Sequence, residues 1–354
     1  MDVKQTLMDF VGKIDKRLVS YWDEQLAHDF GFSETQKKLV RKILLHASEH
    51  NLRPAKRLRG SFVYFASRMS GEEENFAWEA ALALELVHTA LLMHDDVMDG
   101  DDVRRGKPTT HKYFETGDVH YGESMAYNVG DAVLCLGFEL LAKSKVDPQR
   151  VLIASQKMLR SIAETSYGQA YDVTLEKMHT GWDDDDIIAL HKAKTAIYTY
   201  ENPLCIGAHL AGITDQTIFT ILREYSLDGG VAFQLQDDIL GLFGDSEKTG
   251  KSSDSDLTHG KCTLLISHCL SEGTTAQIDA LKLAWGNRHA TSEQIRLAKQ
   301  AIKDSGSLDY SNNISRDFAA KAAQTASKLR TFGLLEESVA YLEGVAMYMV
   351  DREL

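Results

Sequence analysis

Apolar residues recur at spacings of three and four along most of this chain, which is the period of an amphipathic α-helix. The pattern predicts helices over residues 36–48, 76–98, 125–143, 150–178, 187–212 and 217–243. Polar breaks interrupt it at residues 100–110, 244–260 and 286–313. Because no repeat and no low-complexity linker divides the chain, we expect one all-α domain that covers residues 1–354.

A final apolar stripe, within residues 332–350, suits a helix that lies in the core or at a dimer interface. Proline, which breaks helices, occurs only four times in 354 residues, and 44% of the residues are hydrophobic. That fraction is enough for a sizeable core, yet no stretch approaches the roughly 20 apolar residues of a membrane span. We therefore expect a helical protein without a transmembrane segment.

The balance of charge narrows the class of partner. The formal net charge of -13 argues against nucleic acid, because a phosphate backbone attracts basic surfaces. The acidic run 183–186 is typical of a helix start, where free N–H groups favour negative charge. The four cysteines show no CxxC spacing, and the N-terminus lacks the pattern of a signal segment. A reducing, cytoplasmic location is the simplest expectation.

The densest group of chemically active residues ends the helix predicted over 76–98. His88, Asp95 and Asp99 fall within roughly 40° of one another on one helical face. Carboxylates four residues apart repel each other unless a cation lies between them, and Mg²⁺ binds one or two carboxylates together with water and phosphate oxygens. An exposed helix end with several acids gives the same pattern, so the pair alone leaves both interpretations open.

The residues that follow favour the metal interpretation. Gly100 ends the helix, and Arg104 and Arg105 come next in a loop short enough to return to the carboxylates. Guanidinium groups match phosphate oxygens with paired hydrogen bonds, although arginines beside acids also suit a surface ion network. Acids and arginines together predict a clamp for a metal–diphosphate complex.

A second acidic cluster ends the helix predicted over 217–243. Asp237 and Asp238 are adjacent there, and we expect the two acidic helices to face one cavity. Gln234 lies one turn before Asp238, where it suits either a substrate phosphate or a buried polar partner. Lys251 and Lys261 follow in a loop rich in Gly, Ser and Asp.

Two basic groups stand out in this acidic chain. Residues 53–59 carry four cations, which suit an anion site or a surface patch, and Lys194-Thr195 interrupts an apolar helix. Two diphosphates and the five aspartates of the two clusters carry about eleven negative charges, against seven from the nearby lysines and arginines. Two or three divalent cations bring such a site near neutrality, so the count requires metal.

In their order along the chain, these motifs resemble those of the trans-isoprenyl diphosphate synthases, also called polyprenyl synthetases. The resemblance runs from Lys56 to Lys261 and includes KRLR, HTALLMHDDVMD, VRRGKPTTH, GDAVL, GQAYD, KTA, FQLQDD and TGKSSDSDLTHGK. It implies a single helical bundle around a deep central cavity, the type I isoprenoid synthase fold, usually as a homodimer. It also implies a transferase that joins isopentenyl diphosphate to an allylic diphosphate with about three Mg²⁺ ions per site.

The same resemblance implies a role for each motif residue. Mg²⁺ would be held by Asp95, Asp96, Asp99, Asp237 and Asp238, of which Asp96 and Asp238 are the less direct. The allylic diphosphate would be held by Arg104, Lys194, Thr195, Gln234, Lys251 and Lys261. The isopentenyl diphosphate would be held by Lys56, Arg59, His88 and Arg105. The chemistry itself would depend on Asp95, Asp99, Arg104, Lys194, Asp237 and Lys251. Closure of residues 244–260 would exclude water, which quenches an allylic cation.

This chain departs from the family pattern at three positions. The second acidic motif usually ends with a third Asp, where this sequence has Gly241, so metal binding there depends on the two remaining acids and water. Asp245, one turn further, is a candidate replacement. Ala55 and Gly60 stand where Gly and Pro are usual, and we expect little effect from them.

Family members set product length beneath the first acidic cluster, at positions that are Ala90 and Leu91 here. Ala90 is small, so an open floor favours a C20 or longer product, as in geranylgeranyl diphosphate synthases, with farnesyl or longer-chain synthases as the alternative. A type I terpene cyclase shares the fold but needs one diphosphate site, and the second basic group argues against it. A noncatalytic partner subunit would lose acids that this chain keeps, although Gly241 leaves that alternative open.

Overall fold

The structure, a computed structural model, describes residues 1–71, 77–178, 182–244 and 254–351. It begins with α1 (Val3–Ala27), α2 (Glu34–Leu52), α3 (Leu58–Ser67) and α4 (Ala77–Asp99), followed by an antiparallel hairpin of β1 (Val103–Arg104) and β2 (Lys107–Pro108). Next come α5 (Thr110–Phe114), α6 (Val119–Ala142), α7 (Pro148–Met178), α8 (Asp184–His191), a π-helix (Lys192–Glu201), α9 (Asn202–Leu210) and α10 (Gln216–Phe243). The last are α11 (Ser255–His259), α12 (Leu264–Glu272), α13 (Thr275–Lys282), α14 (Ser292–Asp304), α15 (Ser307–Ser327), a 3₁₀ turn (Lys328–Phe332) and α16 (Glu336–Val350).

The predicted all-α fold class is confirmed, and one predicted break is wrong. Residues 286–313 were expected to interrupt the helices, but α14 and most of the first half of α15 lie there. Polar composition hid α14, because only a narrow stripe of it, including Ala298, Ala301 and Ile302, is buried. Its start does carry a local signal, since Thr291 and Gln294 form a reciprocal capping box.

The acidic run at 183–186 starts a helix, as predicted. The N–H of Asp186 donates to the carboxylate of Asp183 at 3.1 Å, and the N–H of Asp183 donates to the carboxylate of Asp186 at 3.2 Å. Two backbone donors that have no partner within the helix are thereby satisfied.

The described residues form two compact units. Unit 1 consists of Met1–Met158 and Pro203–Thr214, and unit 2 of Leu159–Asn202 and Asp215–Leu354. The expectation of one domain over residues 1–354 stays a prediction.

Helix α4 lies at the centre of unit 1, where it packs against α3 and α6. Twelve of its first 14 residues are buried, all but Glu79 and His88, and most of them are apolar. A β-carbon at Gly137 of α6 would lie 2.8 Å from Cγ2 of Val87 and 3.0 Å from the carbonyl oxygen of Ala83, so glycine sets the close spacing of these helices. The acidic end of α4 is thus carried by a well-anchored element.

Helix α10 lies at the centre of unit 2. The hydroxyl of Tyr225 donates to the carbonyl of Leu342 at 2.9 Å, which links α10 to α16. The hydroxyl of Ser315 donates to the carbonyl of Ala232 at 2.9 Å, which links it to α15. The terminal stripe predicted within 332–350 is core, because α16 buries its apolar side chains in this unit.

The π-helix replaces part of the α-helix that was predicted over residues 187–212. The N–H of Asn202 donates to the carbonyl of Ile197, five residues earlier, instead of four. Each π turn takes up an extra residue and therefore rotates the side chains that follow it. Lys194 and Thr195 lie in this segment, so their direction differs from the one that an α-helical wheel predicts.

Helix α6 is the one described helix that is long and apolar enough to cross a membrane by length and composition. Its most apolar window has a mean hydropathy of 1.3, and 44% of that window is buried inside the protein. The earlier expectation that no stretch approaches this composition is therefore wrong for α6. A partly buried core helix passes the same test, so it is weak evidence for a membrane span.

Candidate active site

The three aspartates of the first cluster have different environments. Asp95 keeps 24% of its side chain exposed, whereas Asp99 is 8% exposed and Asp96 is completely buried. The carboxylate of Asp96 accepts a hydrogen bond from Nε of Arg104, and Nε2 of His50 lies 3.9 Å from its other oxygen. Asp96 therefore points into unit 1, away from the face that carries Asp95.

Arg104 returns to the carboxylates, as the short loop after Gly100 predicted. Its Nη2 lies 3.7 Å from Oδ2 of Asp95 and donates to Oδ2 of Asp101 at 3.4 Å. Arg53 holds the hairpin in place, because its guanidinium donates to the carbonyls of Arg104 and Pro108, both at 3.0 Å. Arg53, at the end of α2, thus fixes the hairpin and with it the guanidinium of Arg104 beside the first acidic cluster.

His88 lies among several arginines. Nη1 of Arg59 lies 3.1 Å from Nε2 of His88, and a guanidinium can only donate, so this ring nitrogen accepts. Burial, and then the charges of Arg59 and Arg105, hold the pKa of His88 well below its usual range. Burial and the neighbouring Arg57 lower the pKa of Arg105 to about 10. Cations that depress one another in this way favour an anion.

The other cations of residues 53–59 have separate tasks. Arg57 is buried, and it donates to Asp15 at 2.8 Å and to the carbonyl of Asn51 at 2.8 Å. Lys56 is exposed at the surface of unit 1. Arg53 and Arg57 therefore stabilise the unit, which separates them from the predicted substrate residues Lys56 and Arg59.

Glu85 is a residue of this region that the sequence analysis did not select. It is only 2% exposed, and it accepts from the N–H of Gly60 at 2.9 Å and from Nη1 of Arg57 at 3.4 Å. A proline at position 60 would lack this N–H, so the glycine that departs from the family has a structural use. The signal was present in the sequence, since an acid within an apolar helix needs a partner.

In the second cluster, Asp238 is held from two sides. Its Oδ1 accepts from Nε2 of Gln234 at 2.8 Å, and Nε2 of His191 lies 3.2 Å from Oδ2. The amide oxygen of Gln234 accepts from the hydroxyl of Thr195 at 2.8 Å. Of the two interpretations of Gln234, the structure displays the polar-partner arrangement. Asp237 is partly exposed on the neighbouring face of α10.

The two described lysines of this cluster pair with carboxylates that the sequence analysis did not select. Nζ of Lys194 donates to Oδ2 of Asp172 at 2.5 Å, and Nζ of Lys261 lies 3.1 Å from Oδ1 of Asp256. Both acids stand inside motifs of the resemblance, GQAYD and TGKSSDSDLTHGK, which was the available signal. Lys251 and Asp245, which lie in the stretch 244–260 that was expected to close, fall outside the described residues.

The donors of both clusters fit magnesium. In the described part of the chain, no three His, Cys, Asp or Glu side chains come together as a ready metal cage. Mg²⁺ does not need one, because it takes one or two carboxylates and completes its shell with water and phosphate oxygens. Oδ2 of Asp238 is buried and makes no hydrogen bond with the described residues, although His191 is near. A buried carboxylate oxygen in that state favours a nearby cation.

The two predicted chain-length residues differ in exposure. Ala90 is completely buried in unit 1, whereas Leu91 is partly exposed. Leu91 also lies four residues before Asp95, on the same face of α4.

Comparisons with known proteins identify the family of this chain. The family model for polyprenyl synthetases matches residues 41–303. Geranylgeranyl diphosphate synthase of Methanosarcina mazei is 32% identical over 84% of this chain and 86% of its own length. Geranylfarnesyl diphosphate synthase of Aeropyrum pernix is 33% identical over 84% of this chain and 90% of its own length.

The likeness extends to solved structures. Geranylgeranyl pyrophosphate synthase from Corynebacterium glutamicum, complexed with isoprenyl diphosphate and magnesium, aligns with a TM-score of 0.86 and 26% identity over 97% of this chain and 98% of that one. The family match includes both acidic clusters and the whole of α4 and α10, the helices that carry them. The chain therefore belongs to the polyprenyl synthetase family, the trans-isoprenyl diphosphate synthases.

Proposed function

We propose that the protein is a Mg²⁺-dependent trans-prenyltransferase that joins isopentenyl diphosphate head to tail to an allylic diphosphate. Its product is geranylgeranyl diphosphate or a longer polyprenyl diphosphate. The observation that carries this proposal is the acidic end of α4, where Asp95 and Asp99 stand one turn apart and Arg104 returns beside them. The relatives named for geranylgeranyl and geranylfarnesyl diphosphate synthesis support the range of product length.

Each group of residues has its own task in this proposal. Asp95 and Asp99 would hold magnesium at the end of α4, and Asp237 would hold it at the end of α10; the metal would supply a Lewis acid for a diphosphate leaving group. Arg104 beside the first acidic cluster, and Lys194 and Lys261 beside the second, add positive charge that would stabilise a diphosphate. Before substrate arrives, Asp172 and Asp256 keep the ammonium groups of these two lysines oriented. The diphosphate then competes with the two carboxylates for them.

The basic group of unit 1 binds the isopentenyl diphosphate in this proposal. Arg59 and Arg105 supply guanidinium donors, and Lys56 adds charge at the surface. Because Nε2 of His88 accepts from Arg59, the proton of the neutral ring is on Nδ1, and His88 binds phosphate oxygen as a hydrogen-bond donor.

Incubation with both substrates tests this function. Purified protein with isopentenyl diphosphate, Mg²⁺ and dimethylallyl, geranyl or farnesyl diphosphate should release pyrophosphate and yield a C20 or longer diphosphate, and EDTA should abolish the reaction. Release of pyrophosphate from one allylic diphosphate alone, with a cyclic hydrocarbon as product, would identify a terpene cyclase. No turnover with any starter would identify a noncatalytic subunit.

Larger side chains beneath the first acidic cluster, at positions 90 and 91, should shorten the product. Leu91→Phe adds volume on the face of α4 that carries Asp95. Ala90→Phe adds it about 140° away around the helix, at the position that the family resemblance indicates. We expect each to shift the product from C20 toward C15. Ala90 is completely buried, so Ala90→Phe should also overpack the core and cost about 1–3 kcal/mol of stability. Product analysis by mass spectrometry, with the melting temperature of each variant, checks this. An unchanged product distribution in both variants contradicts the assignment of the pocket floor.

We also propose a cytoplasmic homodimer. Large apolar side chains stay exposed on α6 and at the start of α7, including Tyr121, Tyr127, Leu152 and Ile153. All four cysteines are free thiols, which suits a reducing compartment. Light scattering at assay concentration measures the mass in solution, and a monomer there rejects the dimer.

A further inference from the structure

Gly241 leaves a gap on α10, one turn after Asp237 and on the same face of the helix. The carboxylate of Asp256 occupies this gap. A β-carbon built at Gly241 would lie 2.6 Å from Oδ2 of Asp256 and 3.7 Å from its Cγ. A side chain at position 241 and the observed position of the Asp256 carboxylate therefore exclude each other.

Asp256 is anchored through its backbone and its side chain. It belongs to α11, whose Leu257 is 2% exposed and lies in the same buried apolar cluster as Ile239 and Leu242 of α10. The N–H of Lys261 donates to the carbonyl of Asp256 at 3.0 Å, and its Nζ lies 3.1 Å from Oδ1. Leu257 thus holds the short helix α11 against α10, and Lys261 fixes the backbone and the carboxylate of Asp256.

Asp256 also shares a pocket with the second acidic cluster. Asp238, Asp256 and Lys261 line one small pocket of unit 2, together with apolar residues such as Leu242. Among the described residues that line this pocket there are two carboxylates and one ammonium, and Asp237 lies next to Asp238 along the helix. An excess of carboxylate in a partly buried pocket favours a further cation.

We propose that Asp256 is the third carboxylate of the second acidic cluster, supplied by α11 in place of the residue that is Gly241 on α10. Resting on the proposed function, this assigns Asp256 to the binding of magnesium with a diphosphate. It also explains the glycine at position 241, because a residue without a side chain leaves room for the Asp256 carboxylate on this face of α10. The departure at Gly241 is thereby a relocation of the acid and not its loss.

Moving the acid back tests the proposal. Asp256→Asn keeps the size and removes the charge, and Gly241→Asp/Asp256→Gly returns a carboxylate to α10. The readout is the affinity for Mn²⁺ in the presence of inorganic pyrophosphate, followed by the electron paramagnetic resonance of free Mn²⁺. Asp256→Asn should weaken Mn²⁺ binding by about 10- to 100-fold, and the double variant should regain most of it. Gly241→Asp alone should also weaken binding, because its side chain collides with Asp256.

Matched controls separate a metal role from a structural one. Asp279→Asn removes an exposed aspartate of α13 in the same unit and should leave Mn²⁺ affinity and melting temperature unchanged. Asp256→Asn in a Lys261→Gln background should still lose affinity if Asp256 acts on the metal, whereas no further loss would mean that it serves only Lys261. Unchanged Mn²⁺ affinity in Asp256→Asn overturns the proposal, and so does the absence of Mn²⁺ uptake by the unsubstituted protein.

The experiment does not depend on turnover. A protein that binds Mn²⁺ with pyrophosphate through Asp256 but makes no prenyl product would refute the proposed function and leave the role of Asp256 intact. If the unsubstituted protein makes the prenyl product and Asp256→Asn leaves the Mn²⁺ affinity unchanged, the proposed function is supported and the role of Asp256 is refuted.

Discussion

Asp95→Ala should lower kcat/KM for prenyl transfer by about a thousandfold or more, because a directly bound metal stabilises the leaving diphosphate by several kcal/mol and about 1.4 kcal/mol corresponds to a factor of ten. Asp99→Ala should have a loss of similar size. Since the proposed metal site contains both residues, the double variant should lose much less than the product of the two single effects. Steady-state kinetics with saturating Mg²⁺ check this.

Asp102→Asn is the matched control for the first cluster. Asp102 stands three residues after Asp99, but its side chain is 71% exposed and pairs with Lys112 at 3.2 Å. We expect kcat/KM of Asp102→Asn to stay within about twofold of the unsubstituted protein, because an exposed ion pair contributes about 0–1 kcal/mol. Equal losses in Asp102→Asn and Asp95→Ala would show that general negative charge, and not a metal site at α4, supports the reaction.

Arg104→Met should reduce the free energy of unfolding by about 3–5 kcal/mol, which is the usual result of removing one partner of a buried ion pair. Asp96 is completely buried, and its carboxylate would be left without the guanidinium that Arg104 supplies. Thermal or denaturant unfolding of the substrate-free protein measures this effect apart from any role of Arg104 in diphosphate binding.

A compensating change distinguishes this explanation from general damage. Asp96→Asn removes the buried charge, so Arg104→Met/Asp96→Asn should be more stable than Arg104→Met alone. Lys107 lies in the same hairpin and forms an exposed ion pair with Glu49 of α2. Lys107→Gln breaks this pair and should lower the free energy of unfolding by no more than about 1 kcal/mol. Stability that is unchanged in Arg104→Met, with activity lost, would make Arg104 a substrate residue without a structural share.

The contacts of Arg104 and Asp96 also refine how the first acidic cluster, DDVMD at residues 95–99, is understood. Asp95 and Asp99 stand four residues apart on one face, whereas Asp96 is rotated by about 100° from Asp95 and enters the core. In this state Asp96 orients Arg104 and does not face the same side as its neighbours. The role of Asp96 in metal binding stays a prediction. The variant Arg104→Met/Asp96→Asn, which lacks this carboxylate, tests it.

Local periodicity was sufficient for much of this protein. Because the turn of an α-helix is set by neighbouring residues, spacing alone predicted the long helices α2, α4, α6, α7 and α10, the break after Gly100 and the common face of His88, Asp95 and Asp99. It did not mark α1, which has 25 residues. Spacing failed where the fold overrides it. The π-helix rotates Lys194 and Thr195, and polar α14 is held by a narrow buried stripe.

What only the tertiary structure decided is which charges meet. The pairs Lys194–Asp172 and Asp238–His191 join residues on different helices, and the placement of Asp256 at Gly241 joins residues 15 positions apart across the end of α10. No helical wheel contains these contacts, because they depend on how helices pack and not on the turn of one helix. The sequence by itself determined the helices, the acids they carry and the family, whereas packing decided which of those acids is buried, paired or available to a cation.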